Sequence, residues 1–148
     1  MPKKVKDLLK SMKKEVLSIT PKATVIDALK LMGEKEIGAL MVVDDSGKVL
    51  GIITERDYAR KVALKGRHTQ EVLVEEIMTL YENMFTVKPD TSVEDCMILI
   101  TGKHIRHVPV YEDNKYIGLI SIGDVVKSII SEQEMLIEHL SNYIAGKY

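Results

Sequence analysis

With 148 residues, 45% of them hydrophobic and 29% charged, the chain is sized and composed for one ordinary globular domain, or for two small subdomains sharing a core. A net charge of −1 excludes a global pull toward nucleic acid or an acidic membrane surface. A single cysteine, Cys96, excludes a disulfide framework and a cysteine-based zinc site, and no apolar run approaches the roughly 18 residues of a membrane span.

In chain order, Val5, Leu8, Leu9 and Met12 recur at helical spacing. The lysines around them (Lys3, Lys4, Lys6, Lys10, Lys13, Lys14), offset by Asp7 and Glu15, read as a solvated helix face. This start lacks the apolar region of a signal peptide, so the cytoplasm is the expected compartment. A short extended stretch, Val16–Thr20, runs into Pro21, which disfavours helix in the residue before it. Thr24-Val-Ile-Asp27 then caps an amphipathic helix that places Val25, Ala28, Leu29 and Met32 on one face. Ala39–Val43 and Val49–Ile53 form a predicted hairpin around Asp44-Asp45-Ser46-Gly47. A helix follows from Thr54 to near Leu64, with Gly66 as its C′ residue.

The order then recurs. Val74, Ile77 and Met78 are helical, and Phe85–Lys88 is extended before Pro89. Ser92-Val-Glu-Asp95 caps a helix with Val93, Cys96, Met97 and Ile100 on its face. His107–Tyr111 and Tyr116–Ile120 pair around a polar turn. The last helix begins at Ser121 and keeps its spacing through Val125, Ile129, Leu136, Leu140 and Ile144 to Gly146. At about 1.5 Å per residue it exceeds 30 Å, longer than so small a domain needs. Its far stripe (Leu136, Leu140, Tyr143, Ile144) calls for a partner helix, with packing onto the chain's own N-terminal helix as the alternative.

Ile19–Thr54 and Val87–Ser121 are therefore two copies of one pattern. Pro21, Val25, Asp27, Leu31 and Ile37 match Pro89, Val93, Asp95, Leu99 and Ile105 at a spacing of 68. Gly51, Thr54 and Asp57 match Gly118, Ser121 and Asp124 at a spacing of 67. The slip falls in the hairpin turn, where a lost residue leaves the core undisturbed. Two long copies imply a paired module with a pseudo-twofold axis, because a solenoid needs about three repeats or more. The boundaries expected are 1–68 for the first copy, 69–75 for a linker and 76–148 for the second with its extended helix.

The endings Gly51-Ile-Ile-Thr54-Glu-Arg-Asp57 and Gly118-Leu-Ile-Ser121-Ile-Gly-Asp124, with the stretch Ile105-Arg-His-Val-Pro-Val110, resemble a stand-alone tandem pair of cystathionine-β-synthase (CBS) domains. Ile37-Gly-Ala-Leu-Met-Val42 departs from that second-strand motif by lacking the basic pair and the proline. The resemblance implies an α+β (mixed α/β) fold of two repeats, each β-α-β-β-α after a short helix. It implies an energy-sensing regulatory module that binds adenosine nucleotides in clefts between the copies, with the acid on the ribose and the Thr or Ser hydroxyl near phosphate. Carried over, one cleft would use Thr54, Arg56 and Asp57 with Lys88, Ile105, Arg106 and His107. The other would use Ser121 and Asp124 with Thr20, Pro21, Ile37, Gly38 and Ala39. Related pairs regulate enzymes and transporters, so a separate regulated partner and a homodimer are implied.

The residue types suit such a ligand on their own terms. A hydroxyl at a helix start lies beside free backbone N–H groups and the positive end of the helix dipole. A carboxylate one turn on can accept both hydrogen bonds of a vicinal diol. Arg56 offers a bidentate fork to the same anion. Thr54-x-x-Asp57 and Ser121-x-x-Asp124 are equally plain capping signals, as are Thr24-x-x-Asp27 and Ser92-x-x-Asp95. Arg106-His107 stands where the first copy has Gly38-Ala39, which makes the Asp57 cleft the more electropositive and its acid the more important of the two.

No catalytic constellation stands out. His104 and His107 run into a strand that separates them, with no third ligand near in sequence. There is no Gly-x-Gly-x-x-Gly and no Walker-type loop. The eight methionines read mostly as packing, and Cys96 as a small buried hydrophobe. The reading is a non-enzymatic sensor of AMP, NAD or ATP type, with AMP or NAD favoured by the few basic side chains. The alternatives are a nucleic-acid or gene-regulatory module using the lysine-rich start, a weak nucleotide-processing enzyme, and a ligand-free oligomerisation scaffold. One phenylalanine and no tryptophan leave little to stack on single-stranded bases, which disfavours nucleic acid.

Overall fold

A computed structural model describes residues 3–12, 17–68 and 70–146. Lys13, Lys14, Glu15 and Val16 lie outside the described residues. The chain divides into two compact units, one of Glu15–Phe85 and one joining Met1–Lys14 to Thr86–Tyr148.

In the unit of Glu15–Phe85, β1 (Ser18–Ile19) lies parallel to β2 (Ala39–Val43). β2 pairs antiparallel with β3 (Val49–Thr54), and β3 with β4 (Thr79–Leu80), in the order β1-β2-β3-β4. Helix α2 (Val25–Lys35) starts at Thr24, whose Oγ1 accepts from the Asp27 N–H. Helix α3 (Glu55–Tyr58) continues into a π-helical turn, Ala59–Ala63, before Gly66 closes the segment at positive φ. The short helix α4 (Val74–Ile77) completes the core. Val74 and Ile77 are buried with Val25, Ala28, Met32, Leu40, Val42 and Ile53. Gly51 is needed where β4 pairs with β3, because a Cβ there would collide with the Thr79 carbonyl.

The other unit holds α1 (Val5–Ser11), α5 (Val93–Gly102), the hairpin β5 (His107–Glu112) and β6 (Lys115–Ser121), and α6 (Ile122–Ile144). Val87 bridges Val110 in parallel, donating to the Pro109 carbonyl at 3.1 Å and accepting from the Tyr111 N–H at 2.9 Å. Val5 and Leu8 of α1 are buried with Val93, Cys96, Ile100, Val108, Ile120 and Val125. Burial pushes the Cys96 thiol up to about 11, as expected for a packing cysteine.

The boundaries 1–68, 69–75 and 76–148 are not those of the compact units. Each short helix completes the core of the copy it does not adjoin in sequence. Val5 donates to the Thr91 carbonyl at 2.8 Å and Val93 to that of Lys3 at 3.0 Å. Likewise Val25 donates to Val72 and Val74 to Ala23, both at 2.8 Å. The segment expected to be linker thus carries the start of α4 and a backbone bridge between Leu73 and Thr24.

The hairpins explain the one-residue slip. In β5–β6, Glu112 pairs with Lys115 across Asp113-Asn114, both at positive φ, which is the two-residue turn that matches strand twist. In β2–β3 the longer turn is organised by Asp44, whose Oδ1 accepts from the Ser46 N–H, the Ser46 hydroxyl and the Lys48 N–H. Both hairpins shift register at equivalent points, after Val42 and after Val110.

Helix α6 has 23 residues, about 34 Å. Lys3 donates its backbone N–H to Glu132 at 3.2 Å, so the chain's N-terminal segment does reach this helix. The stripe beyond stays uncovered: Leu136, Leu140, Tyr143 and Ile144 are all more than half exposed.

Candidate functional site

All four Thr/Ser-x-x-Asp sequences cap helices. The Asp27, Asp57, Asp95 and Asp124 N–H groups donate to Thr24, Thr54, Ser92 and Ser121 respectively, at 3.0–3.2 Å. Two of the acids differ from the others in burial. Asp27 and Asp95 are exposed, Asp124 is half-buried and Asp57 is 8% exposed. An acid that only caps has no need to leave water, so the second pair stands in a built environment.

The start of α3 is set by the end of β3. Thr54 is extended, its Oγ1 donates to Asp57 Oδ2 at 3.2 Å, and its N–H reaches the same oxygen at 3.0 Å. The other oxygen, Oδ1, faces the Lys61 ammonium at 3.1 Å and the Thr79 hydroxyl at 3.5 Å. Lys61 also donates to the Ile77 carbonyl at 2.7 Å. Asp57 is therefore met by four donors, two on each oxygen, as many as a carboxylate has lone-pair sites for. The start of α6 repeats the first half of this arrangement. Asp124 Oδ2 accepts from the Ser121 N–H and hydroxyl, both at 2.8 Å.

Each helix start is tied to the strand in front of it. Glu55 donates to the Gly38 carbonyl at 3.1 Å, and Ile122 to that of Arg106 at 2.8 Å. Ala39 pairs with Thr54, and His107 with Ser121. Within one unit, then, Gly38 and Ala39 accompany Thr54, Arg56 and Asp57; within the other, Arg106 and His107 accompany Ser121 and Asp124. Arg106 is exposed, while Arg56 and His107 are half-buried. Ile37 and Ile105 close the turns before their strands by donating to Met32 at 3.0 Å and Ile100 at 3.1 Å. The Thr20 and Pro21 carbonyls accept from Ala23 at 3.3 Å and Glu75 at 3.1 Å, and Lys88 is bound through its backbone to Thr91. Among the described residues, no three His, Cys, Asp or Glu side chains stand close enough to hold a metal ion.

Sequence reasoning missed Lys61 and Thr79. The i, i+4 spacing of Asp57 and Lys61 is visible in the sequence and could have flagged the pair. Thr79 has no local signal, because it arrives on β4.

The CBS-domain family model matches residues 5–64 and 74–131. The chain belongs to the CBS-domain family. It is 41% identical to the mitochondrial CBS domain-containing protein CBSX3 of Arabidopsis thaliana, over 97% of this chain and 73% of that one. Among solved structures, a CBS-domain protein from Burkholderia ambifaria superposes with a TM-score of 0.82 at 47% identity, over 88% of this chain and 96% of that one. A hexameric CBS-CP12 protein from bloom-forming cyanobacteria superposes at 0.72 with 33% identity, over 85% and 67%. The fold is thus that of a CBS pair, generally a regulatory and ligand-binding module rather than a catalytic one. Among the described residues, no helix of this pair is long and apolar enough to cross a membrane.

Proposed function

We propose that this CBS pair is a non-catalytic sensor that binds adenosine nucleotides of AMP, NAD or ATP type and modulates a separate partner protein. The observation that carries the reading is the withdrawal of Asp57 and Asp124 from solvent while Asp27 and Asp95, with the same capping role, stay exposed. The acids are the ribose-holding groups, and Thr54, Ser121, Arg56 and Arg106 are the phosphate-facing ones. Ile37, Gly38, Ala39, Ile105 and His107 frame the base, with Thr20, Pro21 and Lys88 at the edges. The cytoplasm is part of the proposal; the mitochondrial address belongs to the Arabidopsis relative's name.

Lysines of the N-terminal start weigh against the nucleic-acid alternative. Lys4 and Lys6 lie 3.9 and 3.3 Å from Asp90, which offsets part of their charge. Calorimetric titration with AMP, ATP and NAD tests the reading. Saturable binding of at least one of them, weakened about tenfold or more by Asp57→Ala or by Asp124→Ala with the fold retained, is the expected result. No heat with any of the three, and no nucleotide in native mass spectra of freshly purified protein, would dismiss it.

A further inference from the structure

The two oxygens of Asp57 answer to different parts of the chain. Oδ2 accepts from the N–H and the hydroxyl of Thr54, and so belongs to the cap of its own helix. Oδ1 belongs to the segment of α4 and β4. The Lys61 ammonium, 3.1 Å from Oδ1, also donates at 2.7 Å to the carbonyl of Ile77, the last residue of α4. The Thr79 hydroxyl, on β4 two residues later, lies 3.5 Å from the same oxygen. Lys61 makes its bridge from the π-helical turn Ala59–Ala63, an interruption of regular helix of the kind that recurs at functional positions. The duplicated pattern does not itself demand this lysine: position 128, four after Asp124, is serine.

We infer that Lys61 couples occupancy of the Asp57 carboxylate to the hold on α4 and β4: a ribose that takes Oδ1 releases both contacts there, and the segment loosens. The inference rests on the proposed nucleotide reading and adds to it how that one site is regulated. The Asp57 side chain is 11% exposed, so a diol reaches it only by displacing what covers it. A carboxylate offers about four lone-pair sites, and four donors already meet this one. The pair on Oδ2 is local to its helix start. The pair on Oδ1 joins groups far apart in sequence, so it is the pair that yields. The Lys61 side chain is 44% exposed and can turn its ammonium to water, and the Ile77 carbonyl then loses a charge-assisted donor. Little else in the backbone fixes that segment. α4 has four residues and is closed by the Met78 N–H on the Val74 carbonyl at 3.0 Å, and β4 meets β3 through two residue pairs, Gly51 with Leu80 and Ile52 with Thr79. The opening of a segment so held is sensitive to a single contact. By linkage the effect runs both ways, and whatever loosens α4 and β4 favours the ligand at Asp57.

The test is hydrogen exchange of the full chain with and without saturating AMP, read by mass spectrometry, beside calorimetric titration to show that AMP is bound. ATP or NAD takes the place of AMP if only they give heat. In wild type, AMP should speed exchange in residues 74–80 about tenfold or more, the effect of losing one charge-assisted bond from the closed form. Lys61→Met keeps the aliphatic stem. It should show the faster exchange with no AMP present, and AMP should add little to it while binding at least as tightly as to wild type. Thr79→Val is close in shape and should act in the same direction to a smaller extent; it carries the test if Lys61→Met melts early. AMP bound by wild type with exchange in residues 74–80 unchanged or slowed would overturn the inference and leave the sensor reading standing. So would an AMP-dependent step as large in Lys61→Met as in wild type, or weaker AMP binding by that variant. No heat with AMP, ATP or NAD would overturn both.

Discussion

Single residues settle what the repeated pattern leaves equal. Gly51 and Gly118 occupy matching places in β3 and β6, yet they face different obstacles. A Cβ at Gly51 meets the backbone of Thr79, which is held in β4; a Cβ at Gly118 would lie 2.6 Å from the Leu9 Cδ2, the end of a side chain that can rotate away. Gly51→Ala should therefore destabilise by about 1–3 kcal/mol through forced backbone shifts, and Gly118→Ala by less. Urea unfolding of the two variants measures the difference, and equal midpoints would contradict it. The Thr/Ser-x-x-Asp spacing was legible in the sequence because capping is local. That Asp57 also meets Thr79, and that Lys61 reaches Ile77, depends on a strand and a helix more than a dozen residues away, and periodicity carries no such information.

At the scale of elements, the helices and hairpins follow their apolar periods closely. α2 begins after Thr24, α5 after Ser92 and β2 spans Ala39–Val43, as the caps and turn residues dictate. The expected short helices over Val5–Met12 and Val74–Met78 are present, ending one residue early at Ser11 and Ile77. Their destinations could not be read. Val5 and Leu8 form the same kind of face as Val74 and Ile77, so either core could accept either helix, and only tertiary packing chooses. α6 poses a different question. Leu136 and Leu140 are 59% and 54% exposed on adjacent turns, an apolar stripe that a second copy of the helix would cover. If the chain dimerises through it, Leu140→Glu should lower the mass measured by light scattering to that of one chain without altering the melting of the two units. An unchanged mass would place the interface elsewhere, and a six-chain mass would align the protein with its hexameric CBS-CP12 neighbour.

For the whole molecule, the paired architecture was legible from the duplication, whereas the core that each short helix joins was not. Leu8, 5% exposed, belongs in sequence to the first copy and in space to the core of Val93, Cys96 and Val108. Leu8→Ala should cost about 2–5 kcal/mol. The loss of hydrogen-exchange protection should appear in α5, β5 and β6 rather than in α2, β2 and β3. Protection lost first in the strands of Glu15–Phe85 would show that α1 packs where its sequence position suggests.

The exchange of short helices also sets a schedule for synthesis. α1 is made well before the strands and helix it packs on, which follow only after the entire Glu15–Phe85 unit. At about 5–20 residues per second, its apolar face waits on the order of ten seconds before Val125 completes the core around it. Lys6 and Lys10, on either side of Leu8 and Leu9, place charge beside that waiting apolar face.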